Sequence, residues 1–239
     1  MASPAIASVA VTDGSTATVD PTINLPASLA SGDLCVVFFG ATQTHGTPTS
    51  PTGWTTLVND KVSGSGASGD RFQIMYRWCD GSEGTSLVVD TGTSSVKTWA
   101  IAIRITGGDT AVNPVISAGA FGNSNTPDPD SVTPSVTRDA LFLALAAIEG
   151  TATAPSTPPT NYTHPSTFTQ NTTGGGSATN ARGCVAYRQI TNTGAAEDPA
   201  AWGAWGASED WNAWTMAIAA PAAGGGDVNR LVTWMQDDL

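Results

Sequence analysis

Positive charge is what this sequence has least of. Of 239 residues only nine are Lys or Arg, and Lys61 and Lys97 are the only lysines, against 20 Asp and Glu, for a net charge of −11. Proteins that grip nucleic acid displace counterions from phosphate with clustered cations, and this chain has no such cluster, so no nucleic-acid partner is expected. The same charge disfavours an anionic membrane surface. Cysteine is scarce too: Cys35, Cys79 and Cys184 are an odd, sparse set and make no disulfide framework. They read as small apolar residues of a reduced chain made in the cytoplasm. No apolar run approaches the ~20 residues of a membrane span. The opening MASPAIASVAVTDGST has neither a basic region nor an apolar run of signal-peptide length, so export by that route is not expected. Helical periodicity is nearly absent between Ala5 and Pro221.

What is present is a β pattern. Hydrophobic residues make up 40%, enough for a core. Charged residues are only 12%, half the usual share, which leaves a Ser/Thr-rich and weakly charged surface. The stretch 96–105, VKTWAIAIRI, puts Trp99, Ile101, Ile103 and Ile105 on one face and Thr98, Ala100, Ala102 and Arg104 on the other. That period of two is a strand with one heavily buried side. The stretch 213–219, AWTMAIA, repeats it with Trp214, Met216 and Ile218. Other anchors recur in the same order: Asp33 before an apolar run matches Asp139, Pro51 and Trp54 match Pro159 and Tyr162, and Tyr76-Arg77 matches Tyr187-Arg188. Ordered aromatic anchors of this kind imply one unit used twice with small loop insertions.

Taken in order, weak strands are expected at 6–11 and 17–25, split by a turn at Asp13-Gly14. The run 34–39 is apolar at every position and reads as a strand covered on both faces. Strands follow at 54–58, 72–78, 87–89 and 96–105, then at 115–118, 132–136, 141–148, 184–188, 201–205 and 213–219. About five strands per unit predict an all-β, two-sheet β-sandwich of jelly-roll-like order, built from two sequence-related halves at 1–108 and 109–221. The small face of the two Trp strands reads either as the thin side of this sandwich or as a flat surface for another subunit.

After Gly224-Gly225-Gly226 the pattern changes. Asp227 caps a stretch in which Val228, Leu231, Val232 and Met235 recur with helical spacing, so 222–239 is expected to be a short helical tail on a glycine hinge. A helix of about 12 residues is marginal alone in water and needs something to dock against. Val228, Leu231, Val232, Trp234 and Met235 are the partner-docking candidates.

The residues that carry chemistry elsewhere are thinly spread. His45 and His164 lie in unmatched loops, and no nucleophile elbow surrounds a serine, so a Ser-His-Asp triad is not expected. Glu83 and Glu197 match across the halves and could be read as the paired carboxylates of a glycosidase, or as one turn used twice. The Asp residues at 13, 80, 109, 128 and 130 lack the spacing of a calcium loop and read as solvated turns. Trp202, Trp205 and Trp211 cluster in a Gly/Ala-rich region, as a sugar-stacking platform or as core. No cofactor, metal or catalytic residue is expected.

Leu25-Pro26, Ser31-Gly32-Asp33-Leu34, Pro51-Thr52-Gly53-Trp54, Asp80-Gly81-Ser82-Glu83 and the Trp strand ending Ile103-Arg104, followed by Val136-Thr137-Arg138-Asp139-Ala140-Leu141, Tyr187-Arg188-Gln189 and a second Trp strand, resemble a recurrent β-rich module. Similar modules occur in structural proteins of tailed bacteriophages and in secreted bacterial surface proteins. The resemblance covers about 5–220 and rests on turns and core aromatics. With no export signal in view, it implies a non-enzymatic virion protein made in the host cytoplasm: a capsid decoration or head-fibre component, or a tail accessory protein. Its implied partners are copies of itself and the major capsid or tail protein. The rival readings are a carbohydrate-binding module for a host-surface glycan and, more weakly, a glycoside hydrolase.

Overall fold

The computed structural model describes residues 3–41, 48–61, 71–92, 96–149, 157–165, 172–173 and 181–223. Every regular element among them is a strand, and they form several antiparallel sheets. The first sheet contains β1 (Ala5–Thr18), β3 (Leu34–Ala41), β4 (Thr55–Lys61), β5 (Arg71–Trp78) and β7 (Val96–Thr106), in the order β1-β7-β3-β5-β4. A small ribbon pairs β2 (Thr22–Asn24) with β6 (Ser86–Val88). The second sheet contains β8 (Val115–Ile116), β9 (Ala120–Ser124), β10 (Arg138–Glu149), β11 (Thr172–Thr173), β12 (Ala181–Thr193) and β13 (Glu209–Ala219), in the order β11-β12-β10-β13-β8, with β9 also on β13.

Each sheet takes its strands from one half of the chain. A jelly roll exchanges strands between its sheets, so the jelly-roll-like order expected from sequence does not occur here. The physical reason is local: β3, β5 and β7, like β10, β12 and β13, find their partners in their own half and never cross over. The two orders correspond position for position, β7-β3-β5-β4 against β13-β10-β12-β11, with β1 and β8/β9 beside the Trp strands.

Both sheets put their large apolar face into one core. Phe38, Ile74, Trp99, Ile101, Ile103 and Ile105 meet Leu143, Leu145, Trp214, Met216 and Ile218, all of them buried. Phe38 bridges the layers, edge-on to Trp99 at 4.8 Å and to Trp214 at 5.9 Å between ring centroids. The Trp99 indole fills the space beside Gly40 and Gly183, and a Cβ at either glycine would collide with its ring. Close packing of the largest side chain thus requires the smallest on the neighbouring strand β3 and on β12 of the facing sheet.

The outer faces are covered as well, which is why β3 and the described interior of β10 are buried at successive positions. Over the first sheet lie Ile23, Leu25 and Val89 from the ribbon and its flanks, packed on Cys35, Val37, Phe39, Ala100 and Ala102. Over the second sheet run the segments 125–137 and 194–208, tied together by the Val132–Glu197 bridge and by Trp202 and Trp205 amides donating to the Pro127 and Asn125 carbonyls. The small face of the Trp strands is therefore covered by the chain itself and presents no flat surface to another subunit.

Three local expectations change. β1 runs unbroken through Asp13-Gly14, because Asp13 and Gly14 pair with Trp99 and Thr98, and its two register shifts fall between Ile6 and Ser8 and between Gly14 and Thr18. The stretch 201–205 is a loop, and 132–136 keeps only the Val132 bridge. β9 was not anticipated: AFGNS has one large apolar residue, and Phe121 is 66% exposed.

Candidate functional site

The two matched turns build matched clamps. Beside β5, the Trp54 amide donates to the Pro51 carbonyl at 3.0 Å and Thr55 pairs with Tyr76. Beside β12, the Tyr162 amide donates to the Pro159 carbonyl at 2.9 Å and Thr163 pairs with Tyr187. The arginine that follows each tyrosine points outward. Arg77 holds Glu83 through Nε at 3.0 Å and Asp80 at 2.8 Å. Arg188 holds Glu197 at 2.8 Å, and the Tyr162 hydroxyl donates to the same carboxylate at 3.2 Å. Burial, and then the charge of Glu197, pushes the Tyr162 phenol well above its ordinary range.

These clamps answer the question of paired carboxylates. Arg77 pairs with Cys35 on the outer face of the first sheet, and Arg188 with Phe142 on the outer face of the second. Two stacked sheets, about 10 Å apart at their backbones, lie between Glu83 and Glu197. A glycosidase needs its two carboxyls within about 9.5 Å around one sugar, and these residues face opposite sides of the molecule. Each carboxylate is instead a counter-ion for its arginine.

The tryptophans fall on the core side of the choice. Trp202 and Trp205 are 1% exposed and Trp211 is 7% exposed. Trp211 donates its indole N–H to Ser124 at 2.9 Å. None of the three offers an open ring, so the core alternative holds and the sugar-stacking one does not; they cover β10 and β13, whose outer side chains are mostly small.

Other candidates are likewise engaged. His164 Nδ1 lies 3.1 Å from the Val185 carbonyl, with its ring 5.7 Å from that of Trp202. His45 lies outside the described residues. All three cysteines are buried thiols. Burial, followed by nearby carboxylate charge, pushes Cys79 up to about 12, and burial raises Cys35 and Cys184 as well. Asp80 bonds Ser82 and Arg77, and Asp109 bonds Arg138 and the Ala111 amide. Asp128 is exposed, and partial desolvation followed by Asp198 and Asp130 raises its pKa. Among the described residues no group of three or more His, Cys, Asp or Glu is placed to hold a metal ion.

One end of the molecule gathers what remains. Here β3 and β10 begin, β5, β7, β12 and β13 end, and the chain enters and leaves. Ser3 donates to Asp139 at 2.7 Å, and Gln189 donates to the Pro4 carbonyl. Asp139 also accepts from the Asn192 amide at 2.9 Å; these bonds, Ser3 first, hold its pKa below the ordinary range. Arg138 bonds Asp109 at 2.5 Å and the Ala220 carbonyl at 3.3 Å. Asp109 and Ala220 amides donate to the Ala219 and Asp139 carbonyls and close the end of β13. Between these groups opens a cavity of about 330 Å³, lined by Thr137, Arg138, Asp139, Asn192 and Ala220 to Ala223. Sequence reasoning did not find it, because its walls are ordinary strand ends brought together only by the sheet. The docking candidates Val228, Leu231, Val232, Trp234 and Met235 lie outside the described residues.

No protein-family model matches the chain, and no curated protein or solved structure matches it either.

Proposed function

We propose that the chain is a β-sandwich of two sequence-related halves that serves as a non-enzymatic structural component of a tailed-phage virion. It acts as a capsid decoration or head-fibre component, or as a tail accessory protein. The observation that carries this reading is the repeated clamp. The two glutamates that sequence matched across the halves are each engaged by an arginine at corresponding places on opposite faces. They hold turns to strands, and neither glutamate faces the other. Strand orders that correspond position for position support the duplication.

What such a protein offers a partner is surface: few charges, abundant Thr and Ser and, among the described residues, no exposed tryptophan platform. Contacts of that kind are weak singly and suffice when an assembly repeats them. Its partners in this reading are copies of itself and the major capsid or tail protein, and its place is the virion. The segment 227–239 supplies one such contact. Mass spectrometry of purified particles, with copy number measured against the major shell protein, tests the proposal. A fixed stoichiometric ratio is expected. Absence from particles, or turnover of a glycan by the purified protein, would overturn it.

A further inference from the structure

The corresponding edges of the two sheets are finished differently. On the first sheet β1 lies outside β7 and is met by Asn24, whose side-chain amide donates to the Val11 carbonyl at 3.2 Å and whose backbone amide donates to the Thr12 hydroxyl at 2.7 Å. On the second sheet β8 and β9 hold the matching place outside β13, and among the described residues no strand pairs with the other side of β9. The direction of its backbone groups follows from β13. Thr215 turns both its amide and its carbonyl toward Ser117 on this side. Alternation turns Ala213, Trp211 and Glu209 the same way, onto Ala120, Gly122 and Ser124. The N–H and C=O of Phe121 and Asn123 therefore point off the edge of the sheet. A bare edge is a template for another strand, and proteins blunt it with charge, proline, irregularity or brevity. The edge strand β4 has Asp60, Lys61 and a register shift, and β11 is only Thr172–Thr173. The sequence of β9, AFGNS, has no charge and no proline, and its one large side chain, Phe121, is 66% exposed.

We infer that β9 is a contact between two copies of this chain, joined edge to edge in antiparallel register about Gly122. The inference rests on the reading of a protein that contacts copies of itself, and adds where. The strand's own sequence selects a second copy as the occupant. Centred on Gly122, this register sets Phe121 opposite the second copy's Asn123, and every outward amide and carbonyl of both residues is bonded. The two Gly122 residues meet as the closely spaced kind of pair, about 4.5 Å between Cα atoms, where no side chain obstructs. The two Phe121 side chains stand diagonal to one another, about 7–8 Å apart and within reach of an aromatic contact. No charge meets charge along the strand. Asp210, which accepts from Asn123 at 2.7 Å, lies one strand further in on each copy. A strand of 5 residues makes a small interface, weak singly and sufficient where an assembly repeats it.

The test is sedimentation over a wide concentration range, with amide hydrogen exchange on the same samples. A concentration-dependent dimer is expected, and the Phe121 and Asn123 amides should become protected as it forms. Phe121→Lys, at an exposed site, should leave the melting temperature unchanged and weaken the dimer at least about tenfold. The exchange measurement needs no variant, so it decides even where Phe121→Lys fails to fold. A monomer at every concentration, a dimer indifferent to Phe121→Lys, or protection that falls on β1 or β4 would each overturn the inference. So would a Phe121→Cys variant that cross-links in particles only to a different protein, which gives the edge to another occupant. Particle stoichiometry reads the other proposal separately. A dimer through β9 in a protein absent from particles keeps the contact and removes the virion, and a fixed ratio in particles with no dimer does the reverse.

Discussion

The two sheets share an arrangement of strands and differ in what covers them. On the first, the outer layer is a paired ribbon, β2 on β6, whose aliphatic residues sit on Cys35, Val37 and Phe39. On the second, two nearly irregular segments hold the same place, joined by three backbone contacts and filled by Trp202, Trp205 and Tyr162. Backbone pairing is replaced by aromatic volume. What stays constant is the clamp of Arg77 on Glu83 and of Arg188 on Glu197. The comparison teaches that the strand frame and its arginine staples set the architecture, while any covering layer that excludes water completes it.

The largest expected effect tests the common core. Trp99→Ala and Trp214→Ala should each cost ~3–5 kcal/mol in chemical denaturation, from lost burial plus a cavity. Gly183→Ala reports on the same packing from the opposite strand, because its new methyl collides with the Trp99 ring. If either tryptophan substitution proves neutral, the two sheets do not depend on one interior.

The clamps come next. Glu83 has a side chain 1% exposed and Glu197 one 11% exposed, while their arginines are 21% and 35% exposed. Partly solvated partners reduce the cost, so Glu83→Gln should lose about 1–3 kcal/mol and Glu197→Gln somewhat less. Tyr162→Phe, which removes one bond to Glu197, should lose about 1 kcal/mol. Equal and negligible losses would make the clamps ornaments of the turns.

A smaller effect should appear in alkali, through raised groups in both halves: Cys35 and Cys79 in the first, Cys184 and Tyr162 in the second. Cys79 is raised from 9.0 to about 12 and Cys35 is raised too. The folded thiols stay protonated after the unfolded ones ionise. Their contribution is therefore complete below pH 9 and is lost as pH climbs from 9 towards 12. The melting temperature should fall across that range, and Cys79→Ala should flatten the fall. An unchanged slope in the variant would assign the loss to Cys35, Cys184 and Tyr162.

Sequence reached the strands wherever period two was strong. The Trp99 and Trp214 faces, the two-sided burial of β3 and the matched Pro-x-x-aromatic turns all follow from side-chain alternation and turn chemistry. It missed what depends on long-range placement. Whether Trp202, Trp205 and Trp211 were platform or core depended on where 194–208 crosses the sheet, and no local pattern encodes that path. Asp13-Gly14 reads as a turn in isolation, yet pairing with β7 carries the strand through it, a tertiary override of local preference. β9 has too little apolar alternation to be seen before β13 offers it an edge. The cavity beside Arg138 and Asp139 is legible only in three dimensions.

The central claim is that two like halves close over one interior and stand or fall together. Differential scanning calorimetry of the whole chain tests it most directly. One transition is expected, with calorimetric and van't Hoff enthalpies equal, and with neither 1–108 nor 109–239 giving a cooperative transition alone. Two resolved transitions, or a half that melts cooperatively by itself, would contradict the account.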